Sequence, residues 1–324
     1  MNHPWIASYP PAVPARIDPD AYPSVVALLE ESFARFGESK AYACLGRELR
    51  YGAVIEAFKQ YRINKFPGVN TLYAGLMHHP HFAACDFSEL CLSNGGGSAV
   101  QEAVAKRWLQ VTGCPIVEGY GLSETSPGVI RNPTDSEAFT GSVGLPMPNV
   151  DVRILDEDGQ ALAIGASGEI AIKGPQVMQG YWQRPDETAN VMTEDGFLKT
   201  GDIGVMDERG YVKVIDRKKD MIIVSGFNVF PSEIEGVVAE HPGVLECAVI
   251  GVPDERTGEA VKLFVVRRDP ALGEAELLAF CGERLTAYKR PKSLEFIATL
   301  PKSNVGKILR KDLRVSSNQN KESP

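Results

Sequence analysis

Gly119-Tyr120-Gly121-Leu122-Ser123-Glu124-Thr125 sets an aromatic ring between two glycines and follows it with hydroxyl, acid and hydroxyl. Such a run suits a ring-stacking surface beside phosphate and metal contacts. A carboxylate on magnesium works mostly with substrate phosphates and seldom inside an all-protein cage. A Gly-rich loop with a solvated glutamate accounts for the stretch equally well. Upstream, Gly95-Gly96-Gly97 removes side chains where something flat or anionic approaches the backbone. No Gly-Lys-Ser/Thr follows, so it is not a Walker loop. A plain strand-to-helix turn is the simpler reading of that segment alone.

Asp202 and Arg217 stand at the two ends of a hairpin pattern turning at Asp207-Glu208-Arg209-Gly210. A hairpin brings its ends together, so an acid and a guanidinium converge where they can hold a ribose diol; a surface ion pair of little energy is the plainer alternative. Arg217-Lys218-Lys219-Asp220 then forms a charged joint, either a solvated linker or a hinge that absorbs a backbone change. Near the end of the chain, Pro301-Lys302-Ser303-Asn304-Val305-Gly306-Lys307 puts a lysine after a glycine in a loop. An ammonium there reaches developing negative charge, although most basic loops are simply solvated.

The elements that must position these residues show two rhythms. A short apolar run at Leu90–Leu92, the glycines, a helical pattern through Val100, Val104, Trp108 and Val111, and a second apolar run at Cys114–Val117 read as α/β architecture. From Gly141 the period falls to two, as in Val150, Val152, Ile154 and again Ile170, Ile172, which predicts an antiparallel β subdomain. After Asp216 a compact α+β unit follows. Ser232 with Glu235 predicts a capping box at its first helix, and strands are expected at Glu246–Ile250, Lys262–Val266 and Leu294–Ile297, with a helix at Glu274–Leu285. Earlier, an arm rich in Pro and Ala precedes a helical pattern over Ser24–Phe36 and a strand pair over Ala41–Tyr51. A further helix beginning near Gly52 lacks a visible continuation past Ile55.

With 324 residues, the chain has room for two or more domains. Its net charge of −8 argues against nucleic acid as a partner. Six cysteines without CxxC or zinc spacing read as buried thiols of a reducing compartment. The expected setting is cytoplasmic, with no span-length apolar run.

The order of these motifs is more telling than any one of them. Gly-Gly-Gly, YGLSE, TGD, DRKKDMIIVSGFNVFPSEIE and LPKSNVGKILR together resemble the adenylate-forming superfamily of acyl-CoA synthetases, luciferases and adenylation domains. With GPQVMQGYWQRPDET they look most like bacterial long-chain fatty acyl-CoA ligases, whose beginning the arm WIASYPPAVPARIDPDAYPS also resembles. The resemblance implies a fatty acid, ATP and coenzyme A as substrates, magnesium as cofactor, and an acyl-adenylate between two half-reactions. It implies that Gly95, Gly96 and Gly97 line the adenine and acyl pocket and that Tyr120 stacks on adenine beside Gly121. Ser123 would contact phosphate, in place of the usual Thr, and Glu124 would bind magnesium. Asp202 and Arg217 would hold the ribose, Lys219 would be the hinge, Gly226 would border the pantetheine tunnel, and Lys307 would be the adenylation lysine. Peripheral attachment to the inner face of a membrane and homo-oligomerisation are left open.

One family feature is missing. No Ser/Thr/Gly-rich loop ending in Lys, of the kind that cradles the ATP β- and γ-phosphates, occurs between Met1 and Gly95. The passage near Ile55–Ala57 marks its place, and a block the size of a domain is absent with it. The fold expected is α/β: a truncated adenylate-forming large domain with a small antiparallel β subdomain, then a mobile α+β C-terminal domain. Residues 1–56 would be the arm and the remnant of the large-domain start, 57–140 the remaining α/β part and 141–216 the β subdomain. Residues 217–219 would be the hinge, 220–314 the lid and 315–324 a disordered tail. The activity expected is long-chain fatty acid–CoA ligation, impaired by the missing loop. The alternative is a non-catalytic module that binds adenylate or coenzyme A, or partners a full-length ligase. An aryl or short-chain ligase as the true relative is a third reading.

Overall fold

The computed structural model describes residues 3–18, 51–303 and 308–319, with Ala21 and Glu31 besides. The helix expected over 24–36 and the strand pair over 41–51 fall almost wholly outside these residues, and Lys307 falls outside them altogether. Among the described residues three sheets carry the fold. Helix α1 (Tyr51–Gln60) opens the continuous part. It runs straight through Ile55–Ala57, where the sequence pattern suggested an interruption, because Ile55 and Phe58 are both buried in one core with Tyr73, Phe82 and Trp108.

The first sheet has the order β1 (Lys65–Gly68), β2 (Leu92–Gly95), β3 (Ile116–Gly121), β4 (Gly128–Arg131), β5 (Leu145–Pro146). Strands β1, β2 and β3 are parallel, joined through helices α2 (Asn70–His78) and α3 (Glu102–Thr112). The indole of Trp108 on α3 donates to the Ser93 hydroxyl of β2 at 2.9 Å, so the polar edge of the largest core ring is satisfied. Strand β2 begins two residues later than the apolar run suggested and extends into the glycines. Gly95 is itself a strand residue, and a methyl group there would meet Val100 and Ile116 side chains at 2.8 and 2.9 Å.

The second sheet is an antiparallel meander of β6 (Asp151–Leu155), β7 (Ser167–Lys173), β8 (Leu198–Met206) and β9 (Val212–Arg217), with the short helix α4 (Pro185–Val191) between β7 and β8. Period-two patterning gives this sheet its buried face: Val152, Ile154, Ile170 and Ile172 pack together with Trp5 of the N-terminal arm. The arm is stapled on by Ser8 Oγ to the Arg209 carbonyl at 2.6 Å and Tyr9 Oη to the Pro146 carbonyl at 2.7 Å.

The third sheet is built on β12 (Val244–Asp254) and β13 (Gly258–Arg267), flanked by the hairpin β10 (Ile222–Val224) with β11 (Phe227–Val229) and by the parallel strand β14 (Ser293–Phe296). Alternation along β12 and β13 fills both faces. Cys247, Val249, Val261, Leu263 and Val265 face Ile234 and Val238 of α5 (Pro231–Ala239) and Leu277 and Cys281 of α6 (Glu274–Arg284). Ala248, Ile250, Phe264 and Val266 face Leu300 and Leu313. Leu313 belongs to α7 (Arg310–Gln319), so the tail expected to be disordered from residue 315 is helical through Gln319. A second apolar sheet face needs a cover, and α7 supplies it while its arginines bind carboxylates beneath.

Two further expectations fail locally. The α5 N-cap is Phe230 with no side-chain cap, and Glu235 turns away to accept the Val249 amide at 2.8 Å. The Ser232 amide is instead taken by the Asp216 carboxylate at 2.7 Å, so an acid from β9 does the capping. Of the cysteines, Cys85, Cys114, Cys247 and Cys281 are buried free thiols, but Cys91 is exposed. Among the described residues no helix is long and apolar enough to cross a membrane.

Candidate functional site

The first and second sheets meet at three side chains. Asp202 on β8 and Arg217 on β9 are direct antiparallel partners, so the hairpin joins its two ends in register. Asp202 is buried, and its Oδ2 accepts a hydrogen bond from Tyr120 Oη, at the end of β3, at 2.6 Å. Its Oδ1 lies 3.0 Å from Arg217 Nε as an ion pair, yet accepts no hydrogen bond of good geometry. A buried carboxylate oxygen short of a donor is costly unless something supplies one. Burial, then the Asp202 charge, pushes the Tyr120 phenol well above its ordinary value, so it stays a donor.

The turn before Asp202 is held from below. Glu169 on β7 accepts the Gly201 amide at 3.0 Å through Oε1 and the Lys218 ammonium at 2.8 Å through Oε2. Thr200 Oγ1 donates to the Ile170 carbonyl at 2.8 Å. Thus Thr200-Gly201-Asp202 is fixed by strand β7, while Lys218 anchors the start of the joint. Lys219 is exposed in the single 3-10 turn Lys218–Asp220 that leads from β9 to β10.

The glycines lie beside Tyr120. Gly95 pairs with Glu118, and a side chain at Gly96 would come nearest the Gly119 carbonyl at 3.9 Å, so Gly95 to Gly97 edge the strand end that carries the ring. Gly97 has φ +76°, a conformation glycine adopts without strain. Gly121 has a packing reason of its own: a methyl group there would sit 1.7 Å from the Pro127 carbonyl oxygen. The segment 119–121, for which a Gly-rich loop was the alternative reading, is strand, because β4 pairs with it across that tight turn.

Ser123 is exposed and Glu124 half-buried in a 3-10 turn whose third residue, Thr125, is fully buried and bonds the Leu122 and Pro127 carbonyls. Tyr181 Oη donates to Glu124 Oε1 at 2.8 Å, and the Met178 amide to the Glu124 carbonyl at 2.7 Å. Among the described residues no cluster of three metal-ligating side chains exists. A single accessible carboxylate fits magnesium held mainly by substrate phosphates, not a protein cage. Glu124 is the residue that would take it.

Gly226 is apart from this group. With Ser225 at φ +51° and Gly226 at φ +84°, it makes the two-residue turn of the β10–β11 hairpin, and a side chain there would meet nothing within 4 Å. The structure therefore brings Tyr120, Asp202 and Arg217 into contact, sets Gly95 to Gly97 beside them, and leaves Glu124, Lys219 and Gly226 at separate points around them.

Two residues were missed from the sequence. Tyr181 sits in the quoted GPQVMQGYWQRPDET run, so its motif was visible while its role was not. Glu118 is buried at the end of β3, accepts the Val100 amide at 2.9 Å and thereby holds the end of the glycine loop; burial pushes its carboxyl up to about 7. Only the strand register could reveal that this acid points inward.

Comparison with known proteins follows the same lines. The family profile described as AMP-binding enzyme matches residues 43–182, and the AMP-binding enzyme C-terminal domain matches residues 233–307. A long-chain-fatty-acid–CoA ligase of Salmonella typhimurium is 53% identical over 261 residues, 81% of this chain and 46% of that protein. A feruloyl-CoA synthase of an Amycolatopsis species is 42% identical over 265 residues, 81% of this chain and 54% of that protein. The crystal structure of ATP-bound MatB from Rhodopseudomonas palustris superimposes with a TM-score of 0.78 at 34% identity, over 84% of this chain and 54% of that one. The chain spans about half the length of the curated relatives it matches. The two profiles, in family order and together covering more than half of the residues, place this chain in the family of AMP-binding, adenylate-forming enzymes.

Proposed function

We propose that this chain carries the adenylate-holding and lid portions of a long-chain fatty acid–CoA ligase. In the full reaction a fatty carboxylate oxygen attacks the α-phosphorus of ATP and pyrophosphate leaves. The CoA thiolate then attacks the acyl carbon of the adenylate, and AMP leaves. The observation that carries the reading is the buried Asp202, held by Tyr120 and Arg217 and left with one oxygen that lacks a hydrogen-bond donor. A ribose diol supplies such donors, and a tyrosine ring backed by glycines offers a face for the attached base. Gly95, Gly96, Gly97 and Gly121 leave room for that base, Ser123 meets phosphate, and Glu124 meets magnesium, which neutralises phosphate charge when bound. Lys219 is the pivot of the lid, Gly226 borders the CoA thiol's approach, and Lys307 is the lid's lysine for adenylation.

The domain limits we propose follow the sheets: the α/β part and the meander form the body, residues 217–219 the hinge, and the third sheet with α5, α6 and α7 the lid. The fatty-acid specificity is drawn from the likeness to the Salmonella ligase, and the 42% identical feruloyl-CoA synthase makes an aryl acid the competing substrate to include in assays. Adenylation is the impaired half. Phosphoryl chemistry depends on positioning and charge stabilisation, and no phosphate-cradling loop stands between Met1 and Gly95.

ATP–pyrophosphate exchange with palmitate, ferulate or no acid tests this. Exchange at least roughly a hundredfold below that of a full-length ligase is expected. Exchange at the full-length rate would contradict the impairment, and exchange driven by ferulate alone would contradict the fatty-acid assignment.

A further inference from the structure

The joint between body and lid holds a buried charge cluster that the adenylate site does not use. Arg310, the first residue of α7, reaches three carboxylates on three elements. Its Nη2 lies 2.7 Å from Glu235 Oε2 on α5, and its Nη1 lies 3.4 Å from Asp220 Oδ2 and 3.7 Å from Asp216 Oδ1. Arg314, one turn along, adds a second contact to Asp220 at 2.8 Å. Asp216 is only 2% exposed, Asp220 10% and Arg310 18%.

The partners fall on both sides of the joint. Glu235, Arg310 and Arg314 belong to the lid, whereas Asp216 is a residue of β9, one position before the ribose-facing Arg217. Asp216 is gripped twice from the lid, by Arg310 and by the Ser232 amide at the start of α5 at 2.7 Å. A turn about Lys219 would carry Arg310 and Ser232 away from Asp216 but leave Arg310 with Glu235. The Arg217 amide, which donates to Asp216 Oδ1 at 2.7 Å, would stay. A buried acid that loses its charged partner is still costly, so the observed arrangement is favoured over one in which Arg310 and Asp216 separate.

We infer that Arg310 and Asp216 form a latch across the joint, with Arg310 a positioning residue that sets the lid's orientation over the body. This rests on the reading of residues 217–219 as a hinge. The latch sits next to Arg217, so its release and the grip on the ribose share one strand end. A ligand that draws Arg217 inward pulls on the backbone that presents Asp216.

Distances between spin labels test the latch without any turnover. Cys91 is exposed on the body, the other described cysteines are buried, and Leu245 is 45% exposed on the lid. In a Cys44→Ser background, Leu245→Cys gives a label pair spanning the joint. One narrow distance population is expected for the parent. Asp216→Asn should raise a second population roughly threefold or more, and Arg310→Met further still. Glu235→Gln, which weakens the cluster within the lid alone, should keep the parent distribution. Should Arg310→Met fail to fold, Asp216→Asn decides by itself. An unchanged distribution in Asp216→Asn overturns the latch, and so does equal broadening by Glu235→Gln. Failure of the functional reading would appear instead as loss of AMP binding in the parent, a separate measurement.

Discussion

Glu118 shows what one residue contributes beyond its motif. It lies beside the Gly119-Tyr120-Gly121 run, yet its carboxyl points into the body and caps the Val100 amide at 2.9 Å. Desolvation raises its pKa to about 7 from the ordinary carboxylate value, against the lowering effect of that amide. The folded protein therefore holds a proton that the unfolded chain releases above about pH 4.5. Stability from this residue is full below the unfolded value and is lost as pH rises through about 7, by on the order of 3 kcal/mol. Urea unfolding at pH 5 and pH 8 should show that loss in the parent and a clearly smaller one in Glu118→Gln. The same slope in both would mean that Glu118 is not the group responsible. The acid was visible in the sequence; its inward direction was not, because that depends on the pairing of Gly95 with Glu118.

At the scale of elements, period-two patterning located the meander, and the strands expected at Glu246–Ile250 and Lys262–Val266 lie within β12 and β13. The hairpin logic for Asp202 and Arg217 rests on that same period, and the two are register partners. What could not be read were contacts made by distant chain. The α5 N-terminus is capped by Asp216, not by Ser232 and Glu235, and α7 exists because an apolar sheet face needs covering. The arm is a third instance. Gly210, in the turn between β8 and β9, has φ +85°, and a methyl group there would lie 2.3 Å from Trp5 Cβ. Gly210→Ala should cost roughly 1–2 kcal/mol and lift the arm from the meander. Trp182 is 88% exposed, while Trp5 and Trp108 are buried. Acrylamide quenching should therefore detect one accessible tryptophan in the parent and two in the variant. A single accessible tryptophan in both would show that the arm does not depend on this glycine.

For the whole molecule, motif order made the family legible from five short runs, although each run alone had an ordinary structural explanation. The sheets explain why order carries so much. Tyr120, Asp202 and Arg217 come from three strands of two sheets and are separated by up to 97 positions, yet they meet at one point. The chain matches under half of the Salmonella ligase, and its third sheet carries two packed cores of its own. On the proposed function, the chain holds an adenylate through Asp202. Calorimetric titration with AMP measures that most directly. The parent should bind one AMP per chain, and Asp202→Ala should bind at least roughly tenfold more weakly, as expected when a charged hydrogen-bond partner is removed. Equal affinity in the two proteins, or no binding by the parent, would contradict the account.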